Sequence, residues 1–361
     1  MRAVRRADIA TKRLTNLAQH LARRNSRSSR SIEPPLWPSP LAMNSLSSSS
    51  GKDPRSVACL IIGDEVLGGK TQDTNSHYLA RKCFAHGLNL RRIETVADEF
   101  DDIIERVRYL SERFAHVITS GGIGPTHDDI TDEAISRAFN QPLAYHQPTI
   151  DRMTTWMNDR IRVAREQYDT AVAKAKAEGG EQPKAPDYQA MEMNESRKRM
   201  ALFPTGDKST AIYPAPSLWV PVVVVNGNVA ILPGVPRLFR ELADTYIEKQ
   251  IVPNLPQADD ARPWIRKLVG TSKFEGDIAD DLTEVHNSVK SLGIKVGSYP
   301  KSPPSSSPVT STGSTLQSSS WKLKVVVSLV GKEEAELQKW AEVVRDKLDG
   351  WFLTDEEAQG E

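Results

Sequence analysis

Val117-Ile118-Thr119-Ser120-Gly121-Gly122-Ile123-Gly124-Pro125-Thr126-His127-Asp128-Asp129 joins an apolar strand, a glycine turn and two adjacent carboxylates. Glycines let the backbone approach a ligand and expose N–H groups to an anion, while a helix after the turn aims its positive end at the same spot. Asp128 and Asp129 suit a hard cation such as Mg²⁺ bridging phosphates. The same residues also serve a plain strand-to-helix connection in which a carboxylate answers the helix dipole. A second turn of this kind lies upstream. Residues 57–62 form a continuous apolar run, typical of a buried parallel strand, broken by Gly63-Asp64-Glu65-Val66-Leu67-Gly68-Gly69. Helical spacing follows over 75–83, then an amphipathic strand over 90–96, then a helix with Ile103, Ile104, Val107 and Leu110 on one face. This βαβαβ order predicts an α/β three-layer sandwich with a mostly parallel sheet, both glycine-acid loops lying at the carboxyl ends of its strands.

Ile62-Gly63-Asp64-Glu65 with Gly68, Thr74-Asn75 and Leu79, followed by residues 119–131, resemble the molybdopterin-binding (MoaB/Mog-like) domain in its CinA branch. The same branch supplies the N-terminal domain of eukaryotic FAD synthase. Arg197-Lys198 before residues 201–204, and Ile231-Leu232-Pro233-Gly234-Val235-Pro236, resemble that branch's later motifs in the right order. The resemblance covers about residues 55–350 and implies the MogA-like fold. It also implies recognition of a pterin or nucleotide, or metal-dependent cleavage of a dinucleotide pyrophosphate, with FAD split to FMN and AMP as the first substrate and ADP-ribose as its competitor. Asp64, Asp128 and Asp129 would hold a divalent metal, Mg or Co, and Glu65 is either a base or a loop cap. Gly63, Asp64, Asn75, Ser120, Gly121, Gly122, Gly124, Thr126, Arg197, Lys198 and Gly234 are the expected ligand-binding residues. One departure stands out, because residues 213–221 (Tyr-Pro-Ala-Pro-Ser-Leu-Trp-Val-Pro) replace a Thr-Ala-Pro-Gly-type turn of many relatives. Trp219 there either stacks on a flat ring or packs the core. Molybdopterin binding in cofactor assembly, and a regulatory nucleotide-binding module without turnover, are the alternatives. Relatives append a deamidase or an adenylyltransferase past this point, so neither activity is expected from these residues.

The chain carries 47 basic and 47 acidic residues, so no overall basic excess argues for nucleic acid. No apolar run approaches the roughly 20 residues that span a bilayer, and no membrane partner is expected. Cys59 falls in a predicted buried strand and Cys83 on a predicted helix, which reads as two structural thiols rather than a disulfide or zinc framework. His127 sits inside the motif, with a hydrogen-bonded loop role expected. Composition departs sharply at the N-terminus, where nine Arg and Lys accompany Asp8 as the only acid before Glu33. Ile9, Leu14, Leu17 and Leu21 give this leader, residues 1–54, an apolar helical face that suits a mitochondrial presequence over 1–42. A start at Met43 would leave the protein cytoplasmic. The glycine loops belong to a domain over 55–255 with an insertion at about 165–190. A smaller α+β domain is expected over 262–350, with a Ser/Pro/Thr-rich disordered loop at 301–320. Homo-oligomers are common in this fold, and nothing in the sequence fixes the symmetry.

Overall fold

The computed structural model describes residues 51–256, 262–302 and 322–359. The leader up to residue 50, including Met43, and residues 303–320 of the Ser/Pro/Thr-rich stretch lie outside the described residues. Strand β1 (Ser56–Ile62) leads into a single turn of helix, α1 (Asp64–Leu67), then α2 (Asn75–Ala85), β2 (Asn89–Val96), α3 (Phe100–Arg113), β3 (His116–Ser120) and α4 (Thr131–Phe139). A small antiparallel pair, β4 (Leu143–Tyr145) and β5 (Leu202–Pro204), brackets helices α5 (Gln147–Glu178) and α6 (Glu195–Arg199). Strands β6 (Ser209–Ile212), β7 (Val222–Val225) and β8 (Val229–Leu232) and helix α7 (Pro236–Tyr246) complete the larger lobe.

Its sheet runs in the order β2-β1-β3-β8-β7-β6. The first four strands are mutually parallel, and β7 and β6 continue antiparallel. Every residue of β1 is buried, so both faces of the sheet must be covered. Successive side chains point to opposite faces. Val57, Cys59 and Ile61 join Leu79 and Cys83 of α2 and Phe239 and Leu242 of α7 in one core. Ala58, Leu60 and Ile62 join Ile103, Val107 and Leu110 of α3 and Ala134 and Ile135 of α4 in the other. Two helical layers around one sheet is the sandwich that the apolar runs predict. Both cysteines are free and buried, and burial pushes the Cys83 thiol up to about 12 and that of Cys59 up as well, which leaves them inert.

The hairpin expected over 222–232 is present, with Asn226 (φ 54°) and Gly227 (φ 74°) both left-handed, as a type I′ turn requires. Helix α5 enters the stretch read as an insertion. It runs unbroken from Gln147 to Glu178, burying Met153, Met157 and Ile161 in its first half, and ends at Gly179 in the left-handed region. The charged residues over 165–178 continue this helix.

The smaller lobe contains β9 (Ile265–Thr271), α8 (Glu275–Val289), β10 (Lys295–Pro300), β11 (Val325–Gly331), α9 (Glu334–Lys347), β12 (Trp351–Leu353) and α10 (Asp355–Gln359). Its sheet order is β10-β11-β9-β12, covered by α8 and α9. Strand β12 pairs with β9 beyond residue 350, so the lobe extends past the boundary expected from sequence. Three residues are too few to show alternation. Among the described residues, no helix is long and apolar enough to cross a membrane.

Candidate functional site

Because β2, β1, β3 and β8 are adjacent and parallel, the loops at their carboxyl ends share one rim. The Gly63 N–H donates to the Val96 carbonyl (3.2 Å), and the Gly121 N–H to that of Leu232 (3.2 Å). Gly121 has φ 115°, and a Cβ there would overlap the carbonyl oxygen of Ile62 and sit 3.2 Å from its carbonyl carbon. A Cβ on Gly234 would lie 3.2 Å from the Gly121 Cα. On Gly122 (φ 66°) it would overlap Thr131 Oγ1 and reach within 3.4 Å of Asp98 Oδ1. The loops beginning at Gly63, Gly121 and Gly234 and the end of β2 therefore converge, and glycine is required where backbone meets backbone.

Buried polar groups fasten the rim. Asn75, 6% exposed at the start of α2, donates through Nδ2 to Ser120 Oγ (2.9 Å) and to the Gly234 carbonyl (2.8 Å). A carbonyl can only accept, which fixes the amide orientation and leaves Asn75 Oδ1 buried without a protein partner. Thr131 Oγ1 donates to the Gly121 carbonyl (3.0 Å). Ser120 is a correction to the sequence reading. It is 2% exposed and its hydroxyl serves Asn75, so it supports the rim from below and presents nothing to a ligand.

Carboxylates gather on the same rim. The Asp64 N–H donates to Asp98 Oδ2 (2.9 Å), and the Asp98 N–H to Asp64 Oδ1 (3.4 Å). Burial and then the charges of Asp64, Glu65 and Asp128 raise the Asp98 carboxyl above its ordinary value, against the Asp64 amide that lowers it. Sequence reasoning missed Asp98; its only signal is an acid just past a strand end. The Glu65 carboxylate folds back over Gly63, where an added Cβ would meet its oxygens at 2.7 and 2.8 Å, so in this conformation it covers the loop. Asp129 Oδ2 accepts from Thr126 N–H (2.8 Å) and Thr126 Oγ1 (2.6 Å), which ties both residues into their own turn. Gly124 leaves room for that carboxylate. Asp128 is exposed, and the wholly exposed His127 ring lies 4.0 Å from it, with no loop hydrogen bond of the kind expected among the described residues. Asp132, in the first turn of α4, is raised to about 7 by burial and then by Asp129, and its buried Oδ1 has no partner among the described residues.

Asp64, Asp128 and Asp129 therefore do not form a three-carboxylate cage, and no group of three or more His, Cys, Asp or Glu among the described residues is arranged to hold a metal ion. A hard cation that completes its shell with ligand phosphate oxygens and water would need only one or two carboxylates, and Asp64 and Asp128 are the residues that could offer them.

Of the basic run in α6, Arg199 reaches the loop, donating from Nη2 to the Asp129 carbonyl (3.1 Å). Arg197 donates to the Glu192 carbonyl and Lys198 to Glu195 Oε1 (2.6 Å) within their own segment. A five-residue helix sends neighbours to different sides, and sequence order alone does not say which faces the rim. The divergent segment 213–221 packs inward. Ala215 and Val220 are buried, Trp219 packs against the core and Met153, Ser217 Oγ donates to Glu241 (2.6 Å) and Lys249 Nζ to the Pro214 carbonyl (3.1 Å).

Residues 58–255 match a sequence profile described as "Probable molybdopterin binding domain". The chain belongs to this molybdopterin-binding domain family. Within that family it is 32% identical over 253 residues to a protein of Caenorhabditis elegans named "Probable FAD synthase", covering 68% of this chain and 44% of that one. The chain thus spans less than half the length of that relative. A solved structure of the protein CinA from Thermoplasma acidophilum, described as of unknown function, aligns at 26% identity over 55% of this chain and 98% of its own, with a TM-score of 0.37. The molybdopterin biosynthesis enzyme MoaB from Thermus thermophilus aligns at 17% identity over 56% and 99%, with a TM-score of 0.32.

Proposed function

We propose that the glycine rim binds the diphosphate of a dinucleotide and hydrolyses it in a metal-dependent reaction, with FAD or ADP-ribose as substrate. The observation that carries this reading is the meeting of the Gly63, Gly121 and Gly234 loops at one edge, with the carboxylates of Asp64, Glu65 and Asp128 close enough to raise Asp98. Amides there can receive phosphate oxygens, and the N-terminus of α4 adds its dipole. The acids alone would repel a diphosphate, so a cation between the two is required, and Asp64 and Asp128 would hold it. Bound there, a divalent ion supplies neutralisation of phosphate charge and a more acidic water.

In the proposed reaction, water adds to one phosphorus and the bridging P–O bond breaks. FAD gives FMN and AMP; ADP-ribose gives AMP and ribose phosphate. The water's proton passes to a rim carboxylate, Glu65 or Asp98, and the Gly122 and Gly124 amides face the charge that develops; the Gly121 amide, which donates to Leu232, does not.

Purified protein incubated with FAD, ADP-ribose or molybdopterin, with and without Mg²⁺ or Co²⁺, tests the reading. AMP released only with metal supports it. Tight molybdopterin binding without AMP release favours cofactor assembly, which the family's molybdopterin-binding description motivates. Nucleotide binding without product favours a regulatory module.

A further inference from the structure

We infer that the cleft between the two lobes is a second anion site, built for a nucleotide-class ligand that carries a phosphate chain and a planar ring. The cleft has a volume of about 1130 Å³ and is lined on one side by α2 and the amino-terminal half of β2, on the other by β10, β11 and the start of β9. Since β2 runs parallel to β1, its amino-terminal half points away from the glycine rim. The two sites are separate.

Charge identifies the ligand class. Arg81, Arg91, Arg92, Arg266 and Lys295 line the cleft against Asp355 as its one acid, five cations to one anion in a chain whose total charge is zero. Arg92 lies 3.7 Å from Glu94, which also pairs with Arg106 at 3.4 Å. The other four cations have no ion pair among the described residues. Instead, Arg266 lies over the Phe84 ring (4.9 Å) and Lys295 over Trp264 (5.0 Å), contacts that hold a cation in place without neutralising it. Like charges concentrated in a concave wall focus the field and favour a polyanion, and guanidinium groups match phosphate geometry. Two of the chain's own segments, at the N-terminus and between β10 and β11, carry few or no acids to supply that anion. Residues 303–321 contain no Asp or Glu, and residues 1–50 are strongly basic.

A ring accounts for the rest. Tyr299, on edge strand β10, is 57% exposed and lies against Gly297, where an added Cβ would stand 3.3 Å from its hydroxyl. The Trp264 face is already occupied by lysines, so Tyr299 is the open stacking surface.

Titration calorimetry on the full chain with ATP, inorganic tripolyphosphate, adenosine and a single-stranded oligonucleotide tests the inference. Binding of ATP is expected to exceed that of tripolyphosphate, with adenosine weakest. The double variant Arg266→Glu/Lys295→Glu should weaken ATP about tenfold or more and flatten its salt dependence, since each removed cation lowers the focused field. Asp128→Ala, at the rim, should leave this binding intact. Arg91→Gln, a milder change on the other lobe, should lower affinity in the same direction if the double variant fails to fold. Unchanged ATP affinity in the cleft variants, or loss of it in Asp128→Ala alone, would overturn the site. Equal affinity for tripolyphosphate would overturn the nucleotide assignment, and tighter oligonucleotide binding lost in the same variants would turn the cleft into a nucleic-acid surface.

Discussion

Gly121→Ala tests whether the rim is built as described. At φ 115° an L side chain is strained, at a cost of about 1–3 kcal/mol. The added methyl also overlaps the Ile62 carbonyl oxygen, a backbone atom fixed in β1, and relief by backbone shift costs a further 1–3 kcal/mol or so. The sum is about 2–6 kcal/mol, a large share of the roughly 5–15 kcal/mol that a domain has. Urea unfolding of wild type and variant measures the difference. Gly276→Ala is the control. Its Cβ would meet nothing within 4 Å, so helix α8 should gain up to about 1 kcal/mol. A Gly121→Ala loss below about 1 kcal/mol would mean that the two loops do not press together, and the shared rim would have to be abandoned.

Asp132 gives a pH signature. Its carboxyl is raised to about 7, so the folded chain keeps a proton that the unfolded chain releases near an ordinary value of about 4. The stability it contributes is complete below that lower value and is lost as pH rises to about 7. Asp132→Asn should flatten this slope in urea midpoints taken at about pH 5 and about pH 8. Asp128→Ala should remove metal-dependent AMP release with an unchanged melting temperature, because the side chain is exposed; retained release would remove Asp128 from the metal assignment. Asn75→Ala should destabilise the chain by about 1–3 kcal/mol, since it frees the buried Ser120 hydroxyl and the Gly234 carbonyl, and an unfolding midpoint equal to wild type would contradict the clamp. Fusions with and without residues 1–42 should separate mitochondrial from cytoplasmic fluorescence.

The sheet was legible because its signal is dense. Residues 57–62 are apolar and residues 117–120 buried without alternation, as in a strand covered on both faces, and the glycines after them mark the carboxyl edge. Short edge elements carried no such signal. Strand β6, Ser-Thr-Ala-Ile, and strand β12 exist through pairing with β7 and β9, a tertiary cause invisible to local pattern. Site residues divided in the same way. Gly63, Gly121, Gly122 and Gly234 could be read because the close packing of the loops leaves no room for a side chain there. Ser120 could not, because burial, not residue type, turns it from the rim. Asp98 and Asp132 gain their character from neighbours distant in sequence, which only the folded arrangement reveals.

Hydrogen–deuterium exchange with ADP-ribose and Mg²⁺ tests the shared rim most directly. Joint slowing of amides in residues 63–69, 121–129 and 233–235 is the result expected if one diphosphate is gripped by all three loops. Slowing in one loop alone, or only in the interlobe residues around Arg91 and Tyr299, would contradict it.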